Sequence, residues 1–516
     1  MKEMGKSKAL IVNMLASILT FLVSLGISFF FTPYLTDTVG EEAYGFVSLG
    51  NNFINYITII TVALNSVAGR FITIQYHKGK KEEASKYFSS VLAANIMMAV
   101  IILIIAIPAI SFLEHLINIS PELVESVKYL FAFILANFII TIVGTVFSVA
   151  TFITNTLYLS SIANIITALL RVILLCIMYG TLPASVAYIG LATCISTLIG
   201  MIINLFYTKK LVPDIKIRKA YISSEKVKEL FGAGIWNSVT KLSQVLSDGL
   251  DLLITNLWIS PYLMGVLSIS QQIPSYIGTL VSTITNLFNP NATMYYAKND
   301  KDAVVRELKT SMKLCSFFSN IIFCGILVYG RAFFKLWVPN QDYDLVYSLA
   351  VVIMISVVVS GVTTSLNNVF LITNKLKVNS LFWLVISALN VVLVFILLNT
   401  TELGIYAVAG VSKVTGAIAN LTFIPIYASK CLKIKWHTFY PLIFRYMGTT
   451  VLMSIIFVFI GMAYGTPTSW FTFLLLCVAA GVAGVIINYF ILLDSYERGV
   501  LKNKILGKLK RRKTAE

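Results

Sequence analysis

The sequence predicts an all-α polytopic membrane protein of about fourteen transmembrane helices, built as two like-oriented six-helix lobes followed by two further helices. Three observations predict it. The 516 residues are 58% hydrophobic and only 12% charged, with a mean hydropathy of +0.85. A soluble domain is nearer half apolar and about a quarter charged. Apolar runs long enough to cross a bilayer, about 20 residues each, recur along the chain. Basic residues crowd into every second connection between those runs.

In chain order the spans are read at 9–35, 44–70, 87–110, 125–152, 157–180, 184–207, 231–257, 263–289, 311–330, 346–372, 379–399, 404–428, 442–464 and 470–493. The first is too long for a signal-peptide core and reads as an uncleaved span. The first, second, seventh and eighth carry many polar residues. The organisation is a first lobe over 1–207, a connector over 208–230, a second lobe over 231–429, extra helices over 430–493 and a basic tail over 494–516. In that tail Val500, Leu501, Ile505 and Leu509 fall near helical spacing among lysines, which suits either an anionic leaflet or a basic stop signal.

Charge sets the orientation. One side holds Lys2, Lys6 and Lys8, four lysines from Lys78 to Lys86, seven basic residues from Lys209 to Lys228 and five from Lys298 to Lys313. It also holds Lys375, Lys377, Lys430, Lys433, Lys435 and the tail. The other side holds Lys128, Arg331 and Lys335. The positive-inside rule makes the basic side cytoplasmic, with both termini there and the chain in the inner (cytoplasmic) membrane. The same distribution accounts for the net charge of +17 without a nucleic-acid partner.

An internal repeat supports the lobes. AYGFVSLGNNFINYI (43–57) aligns with LMGVLSISQQIPSYI (263–277), and QYHKGKKEEA (75–84) with YYAKNDKDAV (295–304). Gly45 then falls on Gly265, Ser48 on Ser268, Asn51 on Gln271, Tyr76 on Tyr296 and Lys81 on Lys301. Six spans per repeat is an even number, so the repeats are parallel, an architecture that places substrate between the halves.

Polar stripes point to the site. Asn237, Lys241, Gln244, Asp248, Asp251 and Thr255 step by four and three residues, one face of a helix. Milder stripes run through Asn13, Ser17, Thr20, Ser24 and Ser28; through Asn51, Asn55, Thr58 and Asn65; through Gln271, Ser275, Ser282, Asn286 and Asn289; and through Ser356, Ser360, Thr363, Asn367 and Asn374. Such a face cannot meet lipid, because each unpaired polar group there costs several kcal/mol. It faces either another helix or water. Pro274 is expected to bend the eighth span.

Arg70, Arg171, Lys241, Lys413 and Arg445 sit at span depth against Asp248 and Asp251, so a shared cavity would attract anions such as phosphate. Snorkelling is the competing reading for Arg70 and Arg445. For Lys241 one reading puts the ammonium on substrate and Asp248 and Asp251 on a coupling proton or sodium ion; the other is a structural ion-paired network. The candidate substrate-binding set is Arg70, Arg171, Lys241, Lys413, Asn13, Asn51, Asn55, Asn237, Gln244 and Gln271. No metal or catalytic site is expected. The six cysteines form no CxxC pair, and the phosphate-loop, HExxH and GxSxG motifs are absent.

Asn13, the segment FFFTPYLTDTVGEEAYGFVSL (29–49) and Arg70 in RFITIQY (70–76) resemble the Wzx-type polysaccharide repeat-unit flippases, a branch of the multidrug, oligosaccharidyl-lipid and polysaccharide exporter superfamily. The six-plus-six-plus-two layout extends the likeness along the chain. A departure is Ala63-Leu64-Asn65, where members usually carry a glycine. The resemblance implies a V of two lobes that moves a polyprenyl-pyrophosphate-linked oligosaccharide to the outer leaflet by alternating access. It implies no cofactor. Its partners would be the lipid-linked oligosaccharide and membrane lipids, with a polysaccharide polymerase and glycosyltransferases as further candidates. A lipid II flippase and an ion-coupled multidrug exporter of the same superfamily are the alternatives. The exporter predicts an acidic cavity and about twelve spans, where the sequence reads as a basic cavity and about fourteen. A non-transporting scaffold is disfavoured by the stripes.

Overall fold

The structure is a computed structural model that describes residues 6–494 and Arg498, the side chains of 6–11, 14, 18, 290 and 297 aside. The basic tail read from the sequence lies outside the described residues apart from Asp494 and Arg498. Everything described is helix and short connection, with no strand among the described residues.

The first group of helices is α1 (Lys6–Val39), α2 (Glu41–His77), α3 (Lys81–Ser111), α4 (Val124–Gly144), α5 (Val149–Ile153), α6 (Leu157–Thr181) and α7 (Ala187–Leu211). Then come α8 (Ser224–Gln244), α9 (Asp251–Trp258), α10 (Pro261–Ser270), α11 (Gln272–Ala297), α12 (Lys301–Trp337), α13 (Tyr343–Thr363) and α14 (Asn367–Ile372). The last are α15 (Leu376–Thr400), α16 (Ile405–Leu421), α17 (Phe423–Leu432), α18 (Tyr440–Tyr464) and α19 (Trp470–Ile491). Among the described residues twelve helices, some assembled from consecutive pieces, are long and apolar enough to cross a membrane. The chain is a multi-pass membrane protein. The two expected spans outside that set, α8–α9 and α10–α11, carry two of the polar stripes, which lowers their hydropathy.

Local geometry repeats with the sequence. α2 ends with Gly79 left-handed (φ 75°) and Lys80 N–H donating to the Gln75 carbonyl at 3.0 Å. At a spacing of 220 residues α11 ends with Asn299 left-handed (φ 58°) and Asp300 N–H donating to the Tyr295 carbonyl at 3.1 Å. The turn Ile153-Thr154-Asn155 recurs as Ile372-Thr373-Asn374, with φ of 54° and 55° at the two asparagines. Asparagine and glycine are the residues that tolerate this conformation at a helix end. A 3₁₀ turn follows α4 at Thr145–Ser148, and another follows α13 at Thr364–Leu366. The break at Gln271 between α10 and α11 lies one turn before Pro274, whose ring cannot continue the helical bonding.

By their contacts the described residues form two compact units: everything up to Ser268 with Ser380–Val408, and Ile269–Asn379 with everything from Ala409 on. The sequence boundary over 208–230 would put α8 and α9 with the second lobe. Their contacts put them with the first unit, because α8 lies along α2.

In the first unit the core lies between α2, α3, α4, α5 and α7, with Leu64, Ile72, Tyr87, Phe88, Val91, Phe138, Ile142 and Phe147 buried together. The segment after α7 is strapped to α3 by serines. Ser85 Oγ accepts from Lys216 N–H at 3.1 Å, and Ser90 Oγ accepts from Ser223 N–H at 2.9 Å. Gly45 and Gly265, which the repeat aligns, lie against each other. A Cβ on Gly45 would sit 2.8 Å from Gly265 Cα. A residue meets its own repeat counterpart where it lies on a local two-fold axis.

In the second unit Ile277, Val281, Ile284, Cys315 and Met354 form a core between α11, α12 and α13. Two amides join α12 to α19: Asn320 Nδ2 donates to Asn488 Oδ1 at 2.9 Å, and Asn488 Nδ2 donates to Asn320 Oδ1 at 3.0 Å. Arg445, a candidate snorkelling residue, donates to Asp494 at 3.0 Å, and Lys313 reaches the same carboxylate at 2.6 Å. The Lys313 hydrogen bond, followed by that of Arg445, holds the Asp494 carboxyl below its ordinary range against the opposing effect of burial.

Candidate functional site

The seam between α2 and α8 joins two of the polar stripes. Gly234 makes it possible: a Cβ there would run into the Ala63 backbone, with the carbonyl carbon only 2.8 Å away. Helices this close can bond across. Asn237 Nδ2 donates to Ser66 Oγ at 2.9 Å, Ser238 Oγ donates to the Ile59 carbonyl at 2.7 Å, and Lys241 Nζ donates to Asn55 Oδ1 at 2.9 Å. Lys241 and Asn55 are half-buried, whereas Asn51 and Gln244 are exposed. The opposite flank of α8 meets α15, where Thr240 and Ser380 hydroxyls lie 2.8 Å apart.

One turn further on, Val245–Gly249 is a π-helical turn, and Tyr56 Oη donates to the Gly249 carbonyl at 2.6 Å. Wide turns of this kind are often found at functional sites. This one corrects the sequence reading of a single stripe from Asn237 to Thr255. The extra residue per turn shifts the helical phase, so Gln244 and Asp248 are exposed, whereas Asp251 is 5% exposed and Thr255 is fully buried. The two candidate ion-coupling aspartates therefore occupy different environments.

The remaining candidates are more scattered. Asn13 is buried, and its amide is committed to the turn after α5: Nδ2 donates to the Asn155 carbonyl at 3.1 Å, and Oδ1 accepts from Tyr158 N–H at 2.9 Å. Asn51 Nδ2 turns back to the Val47 carbonyl at 2.9 Å on its own helix. Arg70 is exposed on α2, and Arg171 is half-buried on α6. Gln271, at the α10–α11 break, and Lys413, on α16 and 8% exposed, belong to the second unit. Sequence reasoning missed Tyr56 and Ser238, the residues that secure α8 to α2. A tyrosine in an apolar run and a serine one step off the stripe carry no periodic signal.

A family model described as "Polysaccharide biosynthesis protein" matches residues 10–288, more than half of the chain. The chain belongs to this polysaccharide biosynthesis family. It is 29% identical over 430 residues to the uncharacterized membrane protein EpsK of Bacillus subtilis (strain 168), covering 83% of this chain and 85% of EpsK. Among solved structures it is similar to an inward-facing multidrug resistance MATE family transporter of the MOP superfamily. That likeness has a TM-score of 0.67 and 16% identity, and covers 82% of this chain and 99% of the other. It is also similar to the lipid II flippase MurJ in an inward closed conformation, with a TM-score of 0.64 and 16% identity over 93% and 98% of the two chains. The fold of this family member is therefore the MATE- and MurJ-like one.

Proposed function

We propose that the protein is a flippase that carries a polyprenyl-pyrophosphate-linked oligosaccharide repeat unit from the cytoplasmic to the outer leaflet of the cell membrane, by alternating access, for cell-surface polysaccharide synthesis. The observation that carries this reading is the half-buried Lys241, held 2.9 Å from Asn55 beside the exposed amides of Asn51 and Gln244, in a chain of the polysaccharide biosynthesis family. An ammonium held by a neutral amide keeps its charge for an anion, and the neighbouring amides suit sugar hydroxyls. In this account Lys241, with Arg70, Arg171 and Lys413, serves the pyrophosphate, and Asn51, Asn55, Asn237, Gln244 and Gln271 serve the sugars. Asn13 acts indirectly, by fixing α1 on the Asn155 turn. Asp248 and Asp251 take a coupling proton or sodium ion. Both termini lie in the cytoplasm, and the polymerase and glycosyltransferases of the same polysaccharide are the functional partners.

The test is complementation in a host lacking its own repeat-unit flippase. Wild type restores surface polymer, Lys241→Ala does not at equal protein level, and Lys241→Arg keeps part of the activity. Parallel strains depleted of lipid II flippase or stripped of drug exporters separate the alternatives. Rescue in either of those strains, without rescue of polymer, overturns the substrate assignment. Normal polymer with Lys241→Ala removes the lysine from the mechanism.

A further inference from the structure

At one end of the second unit, α12, α13 and α18 enclose a cavity of about 970 Å³ that the proposed transport path does not use. That is the upper end of the range for small-molecule sites. Its walls are apolar, among them Leu327, Val328, Val458 and Met462. Its rim carries two cations, Arg331 and Lys335, one helical turn apart on α12 and both exposed. Thr466 and Thr468, in the connection between α18 and α19, complete the polar edge. Two acidic groups lie close by. Asp344 accepts from Arg331 Nε at 2.7 Å and Nη2 at 3.1 Å, and Asp342 caps α13 by accepting from Leu345 N–H at 3.1 Å.

The two cations stand out by position. On the topology that the basic loops predict, this end faces outward, and only Lys128, Arg331 and Lys335 are basic there. Lys128 is taken up by Glu114 at 2.6 Å, and Arg331 gives its Nε edge to Asp344 and keeps its other edge. The other two line this one cavity. An apolar occupant would leave Lys335 and the Arg331–Asp344 pair facing hydrocarbon, which is costly. A soluble anion would leave the apolar walls unfilled. A molecule with an anionic head and an apolar tail satisfies both parts.

We propose that this cavity binds a phosphate-bearing lipid of the outer leaflet, its phosphate between Arg331 and Lys335 and its hydrocarbon along Val458 and Met462. Arginine offers phosphate a planar fork, and lysine offers it a point charge. Bulk phospholipid and polyprenyl phosphate share this chemistry. The site rests on the predicted sidedness but not on the flipping reaction.

The experiment is lipid titration of the purified full chain in detergent, with bound lipid counted by native mass spectrometry. The three probes are phosphatidylglycerol, a polyprenyl phosphate, and diacylglycerol with the same acyl chains as the phosphatidylglycerol. The phosphate lipids should bind at least about tenfold more tightly than diacylglycerol, and the tighter of the two identifies the source. Lys335→Gln should weaken binding about tenfold. Met462→Trp, which keeps both charges and fills the slot, should do the same, and Lys128→Gln should change nothing. Melting temperatures near wild type establish that the variants are folded. Equal retention of diacylglycerol, or unchanged phosphate-lipid binding in both Lys335→Gln and Met462→Trp, overturns the proposal.

Discussion

Replacing Gly234 with alanine tests the seam that carries Lys241. The new Cβ would lie 2.8 Å from the Ala63 carbonyl carbon and closer still to its oxygen, both backbone atoms that no rotamer change can move aside. Ordinary van der Waals contact needs a displacement of at least about 0.6 Å on the carbon alone. The bonds from Asn237 to Ser66 and from Lys241 to Asn55, each 2.9 Å now, would pass about 3.5 Å, the edge of hydrogen bonding. Those two bonds at about 0.6 kcal/mol each in a membrane protein come to about 1 kcal/mol. Overpacking adds about 1–3 kcal/mol, and the better helix propensity of alanine returns about 1 kcal/mol. The expected net destabilisation is about 1–3 kcal/mol. Gly232 is the matched control, two residues away on the same helix, where an added methyl group would meet nothing within 4 Å. Its alanine variant should gain up to about 1 kcal/mol. Equilibrium unfolding in mixed micelles reads both. If the two variants change stability alike, the close approach of α8 to α2 is not set by Gly234, and the seam geometry above is wrong.

The amide pair of α12 and α19 should behave as a unit. Asn488→Leu leaves Asn320 unpaired and should cost about 1–2 kcal/mol, while adding Asn320→Leu should recover most of it in a double-mutant cycle. At the end of α9, Asn256 receives from and donates to the Asn118 backbone through its side chain, at 2.9 Å each way. Asn256→Ala should therefore lower the melting temperature more than Asn118→Ala, which keeps both of those bonds. The Asp494 carboxyl is held below its ordinary range by Lys313 and Arg445. Its stabilising effect is thus complete above the unfolded carboxylate pKa of about 3.9. It should fade as pH falls through the lower folded value. Asp494→Asn should flatten melting temperature against pH below about 4. The effect is modest, because the carboxylate is more than half exposed.

Much of the architecture is written in local sequence. Hydropathy fixes where helices can cross, and the helical turn ends at Gly79 and Asn299 recur at the repeat spacing because a residue that tolerates the left-handed conformation sits at each. Pro274 likewise marks the α10–α11 break. The stripes on α2 and α8 were legible from spacing, since polar residues three and four apart share a face. Periodicity could not say what that face meets, because the partner of Asn237 lies 171 residues away in the chain.

Composition and spacing by themselves determined an all-helical, twice-repeated membrane protein with polar stripes on particular helices, because apolar content and helical period are properties of each segment alone. The tertiary structure decided how those stripes are used. It set Lys241 on Asn55, committed Asn13 to the Asn155 turn, gave Arg445 to Asp494, and rotated Asp251 into protein while leaving Asp248 exposed. Each of those outcomes depends on a close approach between distant segments or on one extra residue in a turn at Val245–Gly249, and neither changes the pattern of letters along the helix.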